Sequence, residues 1–186
     1  MKDKLAKVKL IAMDVDGTLT DGSMVFMSGD QLKVFNARDG LGMRIALSNG
    51  LHIAWITGNI CQAINERAET LGITHVYQGV WQKRKALKEI SIAYGVGYDE
   101  MAYVGDDIND IPAFDTVGVS FAVNDASEEA RLAADIVTSA KGGHGAVREV
   151  IERILKAQGE WESAVKKFLD KLDVTEPTRI GPEAIN

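Results

Sequence analysis

Uninterrupted apolar runs recur along the chain, separated by stretches in which apolar positions return every three or four residues. VKLIAM (8–13) is apolar throughout, the signature of a strand buried on both faces. MVFM, SGDQ and LKVF (24–35) read as a hairpin, two β-rich runs around a glycine-containing turn. LGMRIALSNG (41–50) predicts a helix with Gly50 past its end. LHIAWIT (51–57) predicts a second buried strand, followed by a helix in ICQAINERAETLG that Gly72 ends. THVYQGV is the third sheet strand and KRKALKEISIAYGV another helix. MAYVG (101–105) is the fourth, followed by a short helical piece at IPAFD, and VGVSFAV is the fifth. SEEARLAAD and GAVREVIERILKAQ are helical, and EWESAVKKFLDKL continues or restarts the last helix beyond Gly159. TEPTRIGPEAIN reads as irregular, and no internal repeat or low-complexity tract interrupts the pattern.

Strands alternating with helices imply βαβ units. The expected fold is α/β, a doubly wound parallel sheet covered on both faces, with the hairpin at about 24–35 as a small insertion. Residues 1–158 form one domain on this reading, and 159–186 a C-terminal helix and tail. Such sheets bind ligands beyond the carboxyl ends of their strands. The chemistry should therefore lie just after the strands.

Composition narrows the field. The 186 residues are 46% hydrophobic, enough for one real core and too few for two ordinary domains. Net charge is -6 and no basic block appears, which argues against nucleic acid as a partner. No apolar run reaches the ~18 residues of a membrane span, and the N-terminus lacks the pattern of a signal peptide. The lone cysteine, Cys61, makes an intrachain disulfide impossible and reads as a small buried apolar group. A cytoplasmic location fits.

The polar residues fall where the fold rule asks. Asp14 and Asp16 follow the first strand, Thr57 and Gly58 end the second, Lys83 comes shortly after the third, and Asp106, Asp107 and Asp110 follow the fourth. Carboxylates crowded at one edge repel unless a cation neutralises them, and oxygen ligands favour magnesium or calcium. An EF-hand fails on spacing, because Leu19 stands where its glycine belongs and Val25 where its glutamate belongs. Magnesium binds through one or two carboxylates plus a substrate phosphate. That leaves one aspartate to attack phosphorus and a second to work as acid and base. Lys83 near a helix start is disfavoured by the dipole unless an anion lies beside it; a solvated surface lysine is the plain alternative. Thr57-Gly58 reads as a helix opening, either a phosphate cradle or a simple N-cap. His52 and His75 read as structural, and His144 as a loop residue or a ligand contact.

At these residues the sequence resembles the haloacid dehalogenase superfamily of phosphotransferases. DVDGT, Thr57 after an apolar strand, Lys83 and GDDIND stand in that superfamily's order. The resemblance implies Asp14 as nucleophile and Asp16 as general acid/base, whose backbone carbonyl also binds magnesium. It implies Thr57 and Lys83 as holders of the phosphoryl group, Asp106 as a magnesium ligand, and Asp110 behind it or bound through water. Mg2+ is the implied cofactor. DVDGTLTDG, FNARDGLGMR, ITHVYQGVWQK, YVGDDIND and GGHGAVREV also resemble the family of 3-deoxy-D-manno-octulosonate 8-phosphate phosphatases, over about residues 7–158. That narrower likeness implies a sugar-acid phosphate substrate. It implies substrate contacts from Asn36, Ala37, Arg38, Asp39, Gly40, Arg44 and Arg67, and from Gly58 and Asn109. The family usually has arginine where this chain has Asn59 and His144, so a nine-carbon sugar-acid phosphate competes as substrate. Neither the interval from Asp14 to Thr57 nor that from Thr57 to Lys83 has room for a cap domain. The resemblance implies a homotetramer, in which hairpins meet and neighbouring subunits complete each site. A phospho-aspartate signalling module is the alternative outside enzymes. Its phosphoacceptor would follow a middle strand, where QGVWQK offers no aspartate.

Overall fold

The computed structural model describes residues 1–27 and 29–173. The elements run α1 Lys2–Ala6, β1 Leu10–Met13, β2 Val25–Met27, β3 Asp30–Leu32, α2 Ala37–Ser48, β4 His52–Ile56, α3 Gln62–Leu71 and β5 His75–Tyr77. They continue as α4 Lys83–Tyr94, β6 Met101–Gly105, α5 Ile111–Phe114, β7 Val119–Ala122, α6 Glu128–Ala133, β8 Ile136–Val137, α7 Ala146–Gln158 and α8 Trp161–Asp173. Six strands form one sheet in the order β5-β4-β1-β6-β7-β8, and every pairing in it is parallel. Strands β2 and β3 form a separate antiparallel hairpin.

The central strand explains this arrangement. All four residues of β1 are buried, as are all five of β6 and four of the five in β4. A strand with no polar face needs cover on both sides, and helices supply it. Helices α1, α2, α7 and α8 pack among themselves, and α4, α5 and α6 form a second group. Helix α7 buries Val147, Val150, Ile151, Ile154 and Leu155 along one stripe while its charged residues pair along the other. The ring of Phe35 stacks on the fully buried Trp55, 6.0 Å between centroids, anchoring the hairpin's second leg to the sheet.

Each expected strand and helix is present, with shifted edges. Helix α2 begins at Ala37, four residues ahead of its apolar run, because the Asn36 side chain accepts hydrogen bonds from the amides of Arg38 and Asp39. Helix α3 begins at Gln62 behind an N-cap at Cys61. Thr57-Gly58 therefore lies in a loop and does not open a helix. The two-residue strand β8 and the one-turn helix α1 are too short to show in a periodicity. The irregular tail expected at 175–186, and with it an expected reach of Arg179 into a neighbour's site, lies outside the described residues. Among the described residues no helix is long and apolar enough to cross a membrane.

The chain crosses from β5, at one edge, to β6 on the far side of β1. The crevice at the carboxyl ends of β4, β1 and β6 is where such sheets hold ligands. Gly118 enters β7 at the opposite, amino end, where a Cβ would fall 2.3 Å from the backbone oxygen of Asp99. Gly118→Ala is expected to lower unfolding free energy by about 1–3 kcal/mol while leaving activity per folded molecule intact. Urea unfolding followed beside an activity assay checks both.

Candidate active site

Four strands deliver the expected residues to one place. Asp14 leaves β1, and its amide still donates to the carbonyl of Val104 on β6. Asp106 leaves β6. Thr57 leaves β4, its amide bonded to the carbonyl of Tyr77 at the end of β5. Lys83 is the first residue of α4. Asp14, Asp16, Thr57, Gly58, Asn59, Trp81, Asp106, Asp107 and Asn109 line one cavity of about 150 Å³. The carboxylates of Asp14, Asp106 and Asp110 each offer an oxygen within 4.8 Å of the others.

Lys83 holds this cluster together. Its side chain is fully buried, with the ammonium 3.0 Å from Asp14 Oδ1 and paired also with Asp110 Oδ1. Burial opposes its charge, but the two carboxylates outweigh that and hold its pKa above the usual lysine value. The anions that offset its unfavourable place at a helix start are thus these aspartates. Asp110 has no exposure and is fully engaged. Its Oδ1 takes Lys83 and the Tyr103 hydroxyl at 2.8 Å, and its Oδ2 takes the amides of Asp106 and Asp107 at 2.9 and 3.3 Å. Asp110 therefore orients Lys83 and the Asp106 loop.

Asp14 and Asp106 are less well satisfied. Burial, partly offset by Lys83, pushes the Asp14 carboxyl up to about 6. Burial and the neighbouring Asp14 and Asp110 push Asp106 up to about 8. Asp14 is buried and Asp106 partly so, Lys83 pairs with Asp14 and Asp110, and a hard divalent cation would compete with the protons that the raised carboxyls of Asp14 and Asp106 favour. The all-oxygen donor set and the crowding fit such an ion, with Asp14 and Asp106 as the carboxylates free to bind it. Gly17, at φ +88°, lets the loop pass beneath Asp106, whose Oδ2 would lie 2.1 Å from any Cβ there. Thr18 donates its hydroxyl to Asp106 Oδ1 at 3.3 Å.

Asp16 sits on the other side of the cavity. Its Oδ2 accepts from Asn59 Nδ2 at 2.7 Å and from the Thr57 hydroxyl at 3.2 Å, and its Oδ1 pairs with Lys33, whose side chain is buried. Thr57 also accepts from the Asn59 amide, 3.1 Å away. Asn59, noted in the sequence for what it replaces, thus holds the carboxylate two residues after Asp14.

The remaining expected contacts lie outside this cavity. Asn36 caps α2 and donates to the carbonyl of Gly143. Asp39 is buried, and its carboxylate accepts from the amides of Gly145 and Arg148 at 3.2 and 2.7 Å. These two residues pin the GGHG loop over the catalytic loop, where the Gly143 amide reaches the carbonyl of Thr18. A Cβ on Gly142 would fall 1.7 Å from the Gly17 oxygen, so only glycine permits that approach. Gly40 is buried against the Arg67 guanidinium, while Ala37, Arg38 and Arg44 are exposed. His144 bonds the carbonyl of Gly142 within its own loop. His52 and His75 flank Tyr94, 4.2 and 4.4 Å between ring centroids, and act structurally. Cys61 is buried.

Lys33 and Trp81 are the site residues that sequence reasoning missed. Lys33 looks like any hairpin charge until the hairpin folds back on the Asp16 loop. Trp81 carried a visible signal, an aromatic residue two positions before Lys83 in the loop after a strand.

Known proteins match this picture. A family model of haloacid dehalogenase-like hydrolases matches residues 53–151. The 3-deoxy-D-manno-octulosonate 8-phosphate phosphatase of Escherichia coli K12 is 43% identical over 163 residues, 87% of this chain and 86% of that one. A crystal structure of the Yersinia pestis phosphatase of the same name superposes with a TM-score of 0.85 at 41% identity, covering 87% of this chain and 88% of that chain. The Moraxella catarrhalis phosphatase, solved with magnesium, phosphate and KDO, superposes with a TM-score of 0.86 at 38% identity over 90% of this chain and 97% of that one. The strand-end placement of its acids and its likeness along nearly the whole length agree: this chain belongs to the haloacid dehalogenase-like hydrolases, in the branch of the 3-deoxy-D-manno-octulosonate 8-phosphate phosphatases.

Proposed function

We propose that the protein is a magnesium-dependent phosphatase of a sugar-acid phosphate, with 3-deoxy-D-manno-octulosonate 8-phosphate as its substrate. The observation that carries this is the meeting of Asp14, Asp106 and the buried Lys83 in one cavity with Thr57 and Asp16. Asp14 attacks phosphorus, forming an aspartyl-phosphate as the bond from phosphorus to the sugar oxygen breaks. Asp16 gives its proton to the leaving alkoxide. It then takes one from the water that attacks phosphorus and releases Asp14. Lys83 and the Thr57 hydroxyl lie against the phosphoryl oxygens, Thr57 turning from Asp16 to do so. Gly58 and Asn109 line the same cavity. Asp14, Asp106 and the backbone carbonyl of Asp16 would hold the magnesium ion. When bound it offsets the charge of the acids and of the phosphate.

A cavity of about 150 Å³ takes the phosphoryl end and leaves most of an eight-carbon sugar acid outside. A homotetramer supplies the rest of the enclosure on this reading. The hairpin supports it: Phe26 is 72% exposed and Val34 69%, beside Val25, Met27 and Leu32. A two-stranded ribbon with apolar residues on both faces gains by meeting another. Arg38, Arg44 and the Asn36–Gly40 segment then face substrate from the rim or across an interface. The polar phosphorylated substrate and the single buried cysteine favour a cytoplasmic location.

Three outcomes are expected. Asp14→Asn removes the nucleophile and lowers kcat by at least about 10⁴-fold, with the circular dichroism spectrum unchanged. Asp16→Ala loses about 10²–10⁴-fold. Steady-state kinetics on the eight-carbon and nine-carbon sugar-acid phosphates measure both and rank the substrates.

Acidity offers the second. Asp14 and Asp106 titrate at about 6 and about 8 when folded, against an ordinary 3.8. Between these values the folded, metal-free protein binds more protons than the unfolded chain, so its stability falls as pH rises. Magnesium binds the deprotonated acids, so its gain in Tm grows from pH 6 to pH 8. Thermal unfolding with and without magnesium reads this, and Asp106→Asn flattens the trend.

Assembly offers the third. Light scattering should give the mass of four chains, and Phe26→Asp should lower it.

A further inference from the structure

Trp81 lines the acid cavity that contains Asp14 and Asp106. It also lines two larger cavities, one of about 360 Å³ with Tyr77, Val80 and Glu89 and one of about 440 Å³ with Lys83, Arg84 and Pro112. The residue is 72% exposed, an unusual place for the largest apolar side chain on a rigid loop.

Its seating is specific. A Cβ on Gly58 would lie 3.1, 3.2 and 3.4 Å from Cε2, Cζ2 and Cδ2, three adjacent carbons of the indole. That near-equality sets the Gly58 backbone against the plane of the ring, and with 72% of the residue exposed most of the indole stays free for a ligand. Glycine is what permits this close stacking. The loop beneath is tied to the Thr57 loop by hydrogen bonds from the Gly79 amide to the Asn59 carbonyl, 3.1 Å, and from the Val80 amide to the Thr57 carbonyl, 2.9 Å. Lys83, two residues on, is locked to Asp14 and Asp110. The backbone that carries the indole is thus tied to the loops that bear Thr57 and Lys83, so the loop needs little ordering when a ligand arrives.

We infer that Trp81 is a specificity-determining residue, a flat platform on which the polyhydroxy leaving group lays its C–H face while its phosphate enters the acid cavity. The inference rests on the sugar-acid phosphatase reading above. The acid cavity is too small for the whole substrate, so the carbon chain leaves it past its rim. Of the residues that line this cavity, Trp81 is the one with a broad apolar side chain. An aromatic plane beside a phosphate site favours ligands with a C–H face and gives nothing to a bare phosphate. Trp81 touches the leaving group only and takes no part in bond making at phosphorus.

The test compares two substrates on Trp81→Ala and Trp81→Phe. One is 3-deoxy-D-manno-octulosonate 8-phosphate; the other is acetyl phosphate, which has no polyol. For Trp81→Ala the fall in kcat/KM should be about tenfold greater on the sugar-acid phosphate, and carried by KM. Trp81→Phe should recover most of the loss. Titrating the free octulosonate should change the tryptophan fluorescence of the wild-type protein and not that of Trp81→Phe. Equal losses on both substrates would overturn the inference and make Trp81 a prop for the Thr57 and Lys83 loops. A changed assembly mass with no substrate selectivity would overturn it in favour of a subunit contact. Wild-type protein that hydrolyses acetyl phosphate but neither sugar-acid phosphate would overturn the substrate reading, and this inference with it. A wild type active on the sugar acid with an unselective variant would sink the platform alone.

Discussion

Like charges held close together in a place with little water set the terms for the rest of this molecule. Asp14, Asp106 and Asp110 bring oxygens within 4.8 Å of one another, and the one ammonium among them belongs to Lys83. At that separation each carboxylate pair costs about 3–4 kcal/mol at an effective dielectric of ~20. Lys83 pairs with Asp110 and one oxygen of Asp14, and burial beside those acids raises the Asp106 carboxyl to about 8. A fold that tolerates such a cluster without its cation has to spend stability on holding it. It does so with the stiffest part it owns, the buried strands β1 and β6, whose carboxyl ends carry the acids.

Loops finish the enclosure by backbone contact. Gly17 and Gly142 touch where neither tolerates a Cβ, and Asn36 and Asp39 pin the loop from Lys141 to Gly145 by its amides and a carbonyl. Lys33 reaches from the hairpin to Asp16, so the exposed hairpin is joined to the proposed acid–base group by an ion pair. Packing at the hairpin and the position of the Asp16 carboxylate are therefore parts of one connected structure. Asn59 shares that carboxylate, and so helps decide how Asp16 faces its substrate.

Much of this was legible in the sequence because the fold places chemistry by rule. Apolar runs marked the strands, and the residues just after them, Asp14, Thr57, Lys83 and Asp106, were the ones the sheet gathers. What stayed hidden depends on contacts between distant segments. The Lys33–Asp16 pair has no periodic signature, and neither does the bond from Asp39 to the amide of Arg148. The early start of α2 came from a cap at Asn36 followed by polar residues that no hydrophobic pattern shows. Thr57 reads as a cap from type alone; its hydroxyl in fact turns to Asp16, and α3 waits until Gln62. Trp81 went unread because its closest approach, to Gly58, joins segments more than twenty residues apart.

Proton release on metal binding reads the central electrostatic claim most directly. Calorimetric titration of the metal-free protein with magnesium near pH 7, repeated in buffers of different ionisation enthalpy, counts the protons displaced. With Asp106 titrating at about 8 and Asp14 at about 6, the account predicts about one proton per ion, and almost none from Asp106→Asn. Magnesium binding with no proton released from the wild-type protein would contradict it, because the acids would then already be ionised and their crowding already paid for elsewhere.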